Sequence, residues 1–270
     1  MALLQKHPIV CCLVVLCLAL LIWAYWGTHA PQTTAYTVRS PKIPAGFDGL
    51  RILQVSDLHN TTFGRNNQKL LTLLREARPD LILLTGDLVD SRRTDVEKAV
   101  DFVREAVKLA PVYYTPGNHE SRIPESYAQL KTDLSRLGAV VLENESILFQ
   151  KEDDAITLTG LMDPNFGIPW PDISTENYQV VLSHRPELLE LYAELDFDLV
   201  LTGHAHGGQF RLPFTDGFFA PHQGFFPAYT SGVHTKGNTT MVVSRGLGNV
   251  PLIPRFNNRP ELILITLEST

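Results

Sequence analysis

The chain has 270 residues, of which 44% are hydrophobic and 19% are charged, and its formal net charge is −6. This composition is ordinary for a globular protein with a sizeable core, and the length suits one large or two small domains. The acidic balance disfavours non-specific binding to nucleic acid, which usually needs a basic surface. We therefore expect no nucleic-acid partner.

An apolar segment near the N-terminus predicts a membrane anchor. Residues 9–26 carry no charge and are just long enough to cross a bilayer as a helix. Trp23 and Trp26 are typical of the interface between membrane and water. A cleaved signal peptide, which implies secretion, is the alternative, with Thr28 and Ala30 as the small residues at the cleavage site. The length of the run and the aromatic residues near its end favour an uncleaved, single-pass anchor.

The cysteines and the flanking charges bear on which side of the membrane the rest of the chain lies. All 3 cysteines fall within residues 9–26. A domain without cysteine suits an extracytoplasmic location and excludes disulfides and thiolate metal sites. Lys6 favours a cytoplasmic N-terminus, whereas Arg39 and Lys42 argue mildly against it. We expect the domain to lie outside the cytoplasm.

The pattern of residues divides the chain into four parts. Residues 1–8 form a short tail and residues 9–26 the anchor. Residues 27–45, which are rich in Pro and Thr, read as a linker with room for one edge strand. Residues 46–270 contain no internal repeat and no low-complexity run, and we expect them to form one compact domain.

Strands and helices alternate in that domain, which indicates an α/β fold with the helices on the outside. Strands are predicted at 51–56, 80–85, 111–115, 139–142, 145–150, 155–160, 178–183, 198–202, 239–244 and 261–267. Helices are predicted at 67–77, 95–110, 125–138 and 187–193.

Five of the predicted strands are followed within three residues by Asp, Asn or His. Because ligands bind at the carboxyl ends of strands in open α/β sheets, we expect these side chains to form one site. Five of the 9 histidines lie at these junctions. The junctions are Asp57-Leu58-His59, Gly86-Asp87, Asn118-His119-Glu120, His184 and Gly203-His204-Ala205-His206.

These residue types predict a site for two divalent metal ions. Oxygen and imidazole donors without thiolate suit Mn, Fe, Zn or Co better than Ca or Mg alone. Seven such groups exceed what one ion takes from a protein, and Asp87 is our choice for the carboxylate that bridges two ions. Two cations roughly 3.5–4 Å apart can clamp the attacking and leaving oxygens of an in-line displacement. Two aspartates and one hydroxide do not fully neutralise two divalent cations. The positive charge that remains on the site favours an anionic substrate such as a phosphate ester.

The motifs DLH, GDLVD, GNHE, the isolated His184 and GHAHGGQ together resemble the five signature blocks of the calcineurin-like metallophosphoesterases. The match covers roughly residues 50–267, and the later segments GGQFRLP and VSRGLG…RFNNRPEL resemble the membrane-associated branch of predicted phosphohydrolases. The resemblance implies two facing mixed β-sheets flanked by helices, an α/β/β/α sandwich, here preceded by one N-terminal transmembrane helix.

The resemblance also implies a role for each side chain of the site. A hydroxide bound to metal would be the nucleophile, and a histidine outside the metal shell would stabilise the phosphoryl group or protonate the leaving oxygen. That histidine is His119. The implied ligands are Asp57, His59 and His206 for the first metal and Asn118, His184 and His204 for the second, with Asp87 as the bridge.

Several residues beside the motifs are candidates for contact with the substrate. Gly207 and Gln209 follow the last histidine, where glycines let the backbone pass close to metal and substrate. Arg122 and Arg185 lie next to motifs and are the arginines best placed to grip a phosphate.

The substrate itself stays open among a phosphomonoester, a phosphodiester and a pyrophosphate. The anchor and the Phe-rich tract at 216–229 favour a lipid or cell-envelope phosphate, although the tract is also explained as a loop that covers the core. A non-catalytic, metal-stabilised binding or scaffold protein on the same fold is the alternative to an enzyme. The complete set of motifs favours the enzyme.

Overall fold

The computed structural model describes residues 8–171, 173, 176–212, 216–248 and 255–270, so residues 1–7 of the predicted tail lie outside the described residues. The helices are α1 (Pro8–His29), α2 (Gln68–Ala77), α3 (Val96–Ala106), α4 (Pro124–Arg136) and α5 (Leu189–Glu194). The strands are β1 (Gln32–Ser40), β2 (Arg51–Val55), β3 (Leu81–Thr85), β4 (Val112–Thr115), β5 (Val140–Val141), β6 (Glu145–Lys151), β7 (Asp154–Gly160), β8 (Gln179–Leu182), β9 (Leu199–Thr202), β10 (Phe219–Ala220), β11 (Gly224–Phe225), β12 (Gly232–Lys236), β13 (Thr239–Val243) and β14 (Glu261–Ser269).

Two mixed sheets of six strands form the body of the domain. The first has the order β1-β14-β2-β3-β4-β5, and the second has the order β12-β13-β9-β8-β7-β6. In the first sheet β2 to β5 run parallel and β14 runs antiparallel to β2. In the second sheet β7, β8, β9 and β13 run parallel, and the outer strands β6 and β12 run antiparallel to their neighbours. Strands β10 and β11 form a separate short hairpin.

The sheets face each other, and helices cover their outer faces. Leu83 of β3 packs between the sheets with Leu182 of β8 and Leu201 of β9. The neighbouring Ile82 and Leu84 point the other way, into the layer formed with α2, α3 and α4. Helix α5 covers part of the second sheet's outer face. Because β3 is buried on both faces, it reads in the sequence as an uninterrupted apolar run.

The expected α/β/β/α sandwich is therefore confirmed, with differences at the sheet edges. Strand β12 (Gly232–Lys236) and the hairpin were not predicted. Strand β12 pairs on one side with β13 and is largely exposed, so its sequence lacks the apolar run by which buried strands are identified. The hairpin strands have two residues each, which is too short for any period to show.

The N-terminal segment is one continuous helix that is longer than predicted. The apolar part, Ile9–His29, has 21 residues, and its most apolar 18-residue stretch has a mean hydropathy of 2.7 and is not buried against the rest of the protein. It is long and apolar enough to cross a bilayer. Within the predicted linker at 27–45, Ala30 and Pro31 alone separate this helix from β1, which is an edge strand of the first sheet.

We expect Leu83→Ala to lower the free energy of unfolding by about 2–5 kcal/mol, because it opens a cavity between the sheets where Leu83 is fully buried. Urea unfolding of the full chain in detergent would measure the change. Leu148→Ala is the matched control, since that side chain is 57% exposed on β6, and it should change the free energy by less than about 0.5 kcal/mol. Equal effects of the two substitutions would contradict this packing.

Candidate metal centre

The predicted ligand side chains gather at one edge of the sandwich, where the carboxyl ends of central strands of both sheets meet. Asp57 and His59 follow β2, Asp87 follows β3, Asn118 follows β4, His184 follows β8, and His204 and His206 follow β9. All seven residues are buried. The structure thus brings together side chains that lie far apart in the sequence.

Asp57, His59 and His206 form a first group. The Nε2 atoms of His59 and His206 lie 3.8 Å and 3.6 Å from Oδ1 of Asp57, and the ligand atoms of the three residues lie within 4.8 Å of one another. Nitrogen and oxygen ligands sit about 2.0–2.2 Å from an ion such as Zn²⁺. Two ligands of one ion are therefore separated by roughly 3–4 Å, which these distances match.

A second group adjoins the first and contains Asp87, Asn118, His184 and His204. The Nε2 atom of His184 lies 3.1 Å from Oδ2 of Asp87 and 3.2 Å from Oδ1 of Asn118. A ring nitrogen of His204 lies within 4.8 Å of the Asp87 and His184 donor atoms. Oδ2 of Asp87 is also 3.6 Å from Nε2 of His59. One carboxylate oxygen thus lies between the two groups.

The electrostatics of the site suit cations. Burial raises the pKa of Asp87, but the neighbouring histidines, chiefly His184, outweigh burial and hold that pKa well below its ordinary value. Burial likewise lowers the pKa of His184, but the charge of Asp87 raises it to about 10. Both ring nitrogens of His59 are buried without a hydrogen-bond partner among the described residues. Buried ring nitrogens that lack partners, beside two buried carboxylates, are what divalent metal ions would satisfy.

A backbone carbonyl outside the proposed ligand set fixes the orientation of the His184 ring. Its Nδ1 lies 2.8 Å from the carbonyl oxygen of Thr85, so Nδ1 carries a proton and donates a hydrogen bond to that carbonyl. Nε2 faces Asp87 and Asn118, and a metal ion bound there would take the place of the proton that the charge of Asp87 otherwise keeps on the ring. A histidine held in this way through its other nitrogen is prepared to bind a metal.

The backbone at the site is strained. Five of the residues have φ in the left-handed region, with values of 52° at Asp57, 45° at His59, 54° at Asp87, 64° at His204 and 47° at His206. Such a conformation is uncommon for any residue other than glycine, and it costs free energy that the surrounding structure must supply. The clustering of this strain at one edge is typical of a functional site.

Two glycines allow the loops to approach the carboxylates. A Cβ atom on Gly203 would lie 2.0 Å from Oγ of Ser56 and 2.2 Å from Oδ2 of Asp57. A Cβ atom on Gly117 would lie 2.3 Å from Oδ1 of Asp87. The glycines of the GNHE and GHAH motifs are therefore required because no side chain fits where they meet the aspartates.

His119 lies beside the metal groups with its ring in a fixed tautomer. The Nδ1 atom accepts a hydrogen bond from the backbone N–H of Ser91 at 3.0 Å, so the ring proton must be on Nε2. Nε2 lies 4.0 Å from Oδ2 of Asp87, on the side of the cleft. Burial lowers the pKa of His119 to about 4, which keeps the ring neutral at pH 7.

Glu120 is a buried residue beside the site to which the sequence analysis gave no role. Its buried carboxylate accepts hydrogen bonds from the backbone N–H groups of Asp87, Val89 and Gly117 at 3.0, 3.1 and 2.9 Å. Burial, reinforced by the charge of Asp87, raises its pKa to about 7. Glu120 thus joins the loops that follow β3 and β4, and its place at the end of the GNHE motif was the signal for it.

Arg185 has a different environment from the one expected of a residue that grips phosphate. Its guanidinium is buried and makes a two-point ion pair with Asp163, in which Nη2 lies 3.0 Å from Oδ1. Its Nη1 lies 2.6 Å from Nδ1 of His222, and that atom lies 2.9 Å from Nε2 of His204. Arg185 and His222 therefore help to fix the position of the His204 ring.

A cleft of about 210 Å³ opens onto the two groups. Arg122, one of the predicted phosphate contacts, lines it, and so does Arg92. Arg185, Gly207 and Gln209 are not among the described residues that form its walls. Contact between those three residues and a substrate stays a prediction, whereas Arg122 faces the space in which a substrate would sit.

Comparison with known proteins gave a match to the family model of the calcineurin-like phosphoesterases over residues 50–208. The chain is similar to the uncharacterized metallophosphoesterase YkuE of Bacillus subtilis (strain 168), at 32% identity over 91% of this chain and 88% of that protein. It is also similar to the phosphodiesterase YaeI of Escherichia coli (strain K12), at 30% identity over 80% of this chain and 82% of that protein. A transmembrane protein with metallophosphoesterase domain from Danio rerio is 27% identical over 90% of this chain and 58% of its own length.

We expect Glu120→Ala to lower the free energy of unfolding by at least about 2 kcal/mol, because three buried N–H groups lose their acceptor. Glu120→Gln should lose less, since its amide oxygen still accepts. Urea unfolding would measure both. The control is Glu105→Ala, because the Glu105 carboxylate lies on the surface of α3 and pairs with Lys108 just beyond the end of that helix. An effect of Glu120→Ala no larger than that of the control would contradict the role of Glu120.

Proposed function

Because the chain belongs to the calcineurin-like phosphoesterase family, we propose that it hydrolyses a phosphoester or pyrophosphate bond by means of two divalent metal ions bound where the sheets meet. Membership of the family makes the protein a metallophosphoesterase, which confirms the family and the enzyme class expected from the motifs. The family and the clusters of His and Asp also indicate divalent metal ions and a phosphorylated substrate.

The observation that carries the proposal of two ions is the position of Asp87. Its Oδ2 lies 3.6 Å from His59 in the first group and 3.1 Å from His184 in the second, as a bridging carboxylate would. We propose Mn, Fe, Zn or Co as the metals, since the donors are oxygen and imidazole. The proposed ligands are Asp57, His59 and His206 for the first ion and Asn118, His184 and His204 for the second, with Asp87 shared.

The metal ions would supply a nucleophile at neutral pH and would neutralise charge on the phosphoryl oxygens. The side chains around them would align the substrate. Arg122 and Arg92 line the cleft and bring positive charge to the side where an anionic phosphate enters. The ions would be held by imidazole rings whose positions are fixed by further hydrogen bonds, with Thr85 for His184 and with His222 for His204.

We assign His119 the task of donating a hydrogen bond to an oxygen of the phosphoryl group. Ser91 N–H occupies its Nδ1, so a neutral ring presents Nε2–H to the cleft. A neutral imidazole is a good hydrogen-bond donor but a poor acid. Of the two roles that the resemblance implied, the fixed tautomer favours stabilisation of charge over transfer of a proton to the leaving oxygen.

We propose further that the protein is a single-pass membrane protein with an extracytoplasmic domain at residues 46–270, to which β1 adds an edge strand. The length and the exposure of the apolar helix support the anchor, and a relative is named as a transmembrane protein. Nothing in the described residues favours the alternative of a non-catalytic scaffold.

We expect Asp87→Ala to lower the turnover of bis(p-nitrophenyl) phosphate at least about a hundredfold in the presence of Mn²⁺, because it removes the ligand shared by both ions. Chelation should abolish the activity of the unsubstituted protein. Asp101→Ala is the control, since that carboxylate is exposed on α3. Metal analysis should find two ions per chain, and a single ion with full activity, or unchanged turnover of Asp87→Ala, would overturn the proposal.

We expect His119→Ala to lower kcat by about a hundredfold with little change in metal content, because His119 is not a proposed ligand. His119→Gln should keep more of the activity, since an amide N–H also donates a hydrogen bond. Steady-state kinetics with bis(p-nitrophenyl) phosphate and metal analysis would test both variants. Equal losses in the two variants would instead favour a role in proton transfer.

A further inference from the structure

We propose that the catalytic edge of the sandwich faces the lipid bilayer and that the β10–β11 hairpin inserts its phenylalanines into the membrane surface. The cleft would then meet a phosphate carried by a lipid, which is the substrate class we infer. This inference rests on the proposed function. We call the segment Phe218–Phe226 the Phe hairpin.

The strand order places the end of the apolar helix at the catalytic edge. Strand β14 runs antiparallel to β2 and pairs Ile263 with Gln54, so the start of β14 lies beside the end of β2, where Asp57 follows. Strand β1 runs parallel to β14 and pairs Gln32 with Glu261. Gln32 is three residues beyond the end of helix α1 at His29. The point at which the chain leaves the proposed membrane segment is therefore on the same side of the sheet as the metal groups.

Direct contacts tie the end of that helix to the site. The Arg255 N–H donates to Oγ1 of Thr28 at 3.1 Å. Arg259 donates to the carbonyl of Ala30 at 2.8 Å, and its guanidinium lies 4.7 Å from the ring centroid of Trp26.

The residue before Arg259 reaches the site itself. Asn258 Nδ2 donates to the carbonyl of His206 at 2.7 Å. Adjacent residues of one segment thus hold the end of the helix and the backbone of a proposed metal ligand. The helix and the site are connected through two neighbouring side chains rather than across the width of the domain.

The Phe hairpin forms a second apolar feature at this edge. The side chains of Phe218, Phe219, Phe225 and Phe226 are 40%, 42%, 66% and 70% exposed. Their rings contact one another, with centroids 5.3 to 5.6 Å apart. A contiguous exposed cluster of four aromatic residues is unusual on a soluble surface and indicates a binding surface.

The position of the hairpin relative to the site identifies its partner. The Phe218 N–H donates to the carbonyl of Gly208 at 3.0 Å, next to the GHAH motif, and Pro221 and His222 at the turn line the cleft. The hairpin that carries the phenylalanines therefore borders the cleft through its turn. An apolar helix of membrane-spanning length ends at the same edge, which makes the bilayer the apolar phase available to them. Aromatic rings are favoured at the level of the lipid head groups.

This arrangement would bring the reacting bond to the depth at which lipid phosphates lie. A lipid-borne phosphate could enter between the hairpin and Arg122 while its acyl chains stay in the bilayer. A small soluble phosphate ester would gain nothing from the hairpin. The inference therefore separates lipid-borne substrates from soluble ones of the same chemistry.

Fluorescence of the full chain in vesicles tests the docking without reference to activity. Cys11, Cys12 and Cys17 are replaced by alanine, and one cysteine is introduced by Phe225→Cys or, as the control, by Leu148→Cys on exposed strand β6. Each single-cysteine variant is labelled with an environment-sensitive NBD fluorophore. In vesicles of phosphatidylethanolamine and phosphatidylglycerol, the label at 225 should shift to shorter wavelength and be quenched by a lipid-attached nitroxide, and the label at 148 should not.

Two outcomes of that experiment would overturn the proposal. One is a label at 225 that is as exposed to water as the label at 148. The other is a label at 225 that is shielded but not quenched by the lipid nitroxide, together with cross-linking between chains, which would make a second copy the partner.

Activity on matched esters tests the substrate class. The reporters are bis(p-nitrophenyl) phosphate and a diacylglyceryl p-nitrophenyl phosphate embedded in the vesicles, which release the same leaving group. The double variant Phe225→Ser/Phe226→Ser should lower the ratio of lipid to soluble turnover at least about fivefold, and Leu148→Ser should leave the ratio unchanged. An unchanged ratio in the double variant would overturn the inference. Failure of the unsubstituted protein on both esters would refute the proposed function, while the fluorescence would still decide the docking.

Discussion

The interaction on which the rest of the structure depends is the compensation of two buried aspartates. Asp57 and Asp87 are almost completely removed from solvent, and a buried carboxylate without compensation is costly. Backbone N–H groups supply part of the compensation, since His204 donates to Asp57 and His119 donates to Asp87. The imidazoles and the proposed cations would supply the remainder. The left-handed residues and the close glycines follow from this requirement, because the loops must bring N–H groups and ring nitrogens within bonding distance of the same two carboxylates.

Most of the centre of the fold and the membership of the site could be predicted, because both depend on local patterns. Strands buried on both faces, such as β3 and β9, stand out as apolar runs, and the polar residue after each run marks the carboxyl end of a strand. Side chains such as Asp57 and His184 could therefore be grouped before any contact between them was known. The predicted sandwich required the resemblance as well, since the sequence patterns do not determine which strands share a sheet.

The parts that could not be predicted depend on contacts between distant segments. Arg185 lies next to a motif, yet its partners Asp163 and His222 come from other loops, so neighbourhood in sequence did not reveal that it is already bound. The role of Glu120 depends on three N–H groups from two different loops. The edge strand β12 and the two-residue strands of the Phe hairpin are too exposed or too short to produce a period.

The connection between the helix and the domain has a mechanical consequence that a flexible linker would not have. Because Ala30 and Pro31 alone separate α1 from β1, and β1 pairs with β14 over its full length, the direction in which the helix leaves the domain is set by the sheet. The contacts of Arg255 and Arg259 with the helix end restrict it further. A domain on a long flexible tether would present every face to the membrane in turn. Here the short connection limits the domain to orientations that keep the metal groups near the end of the helix.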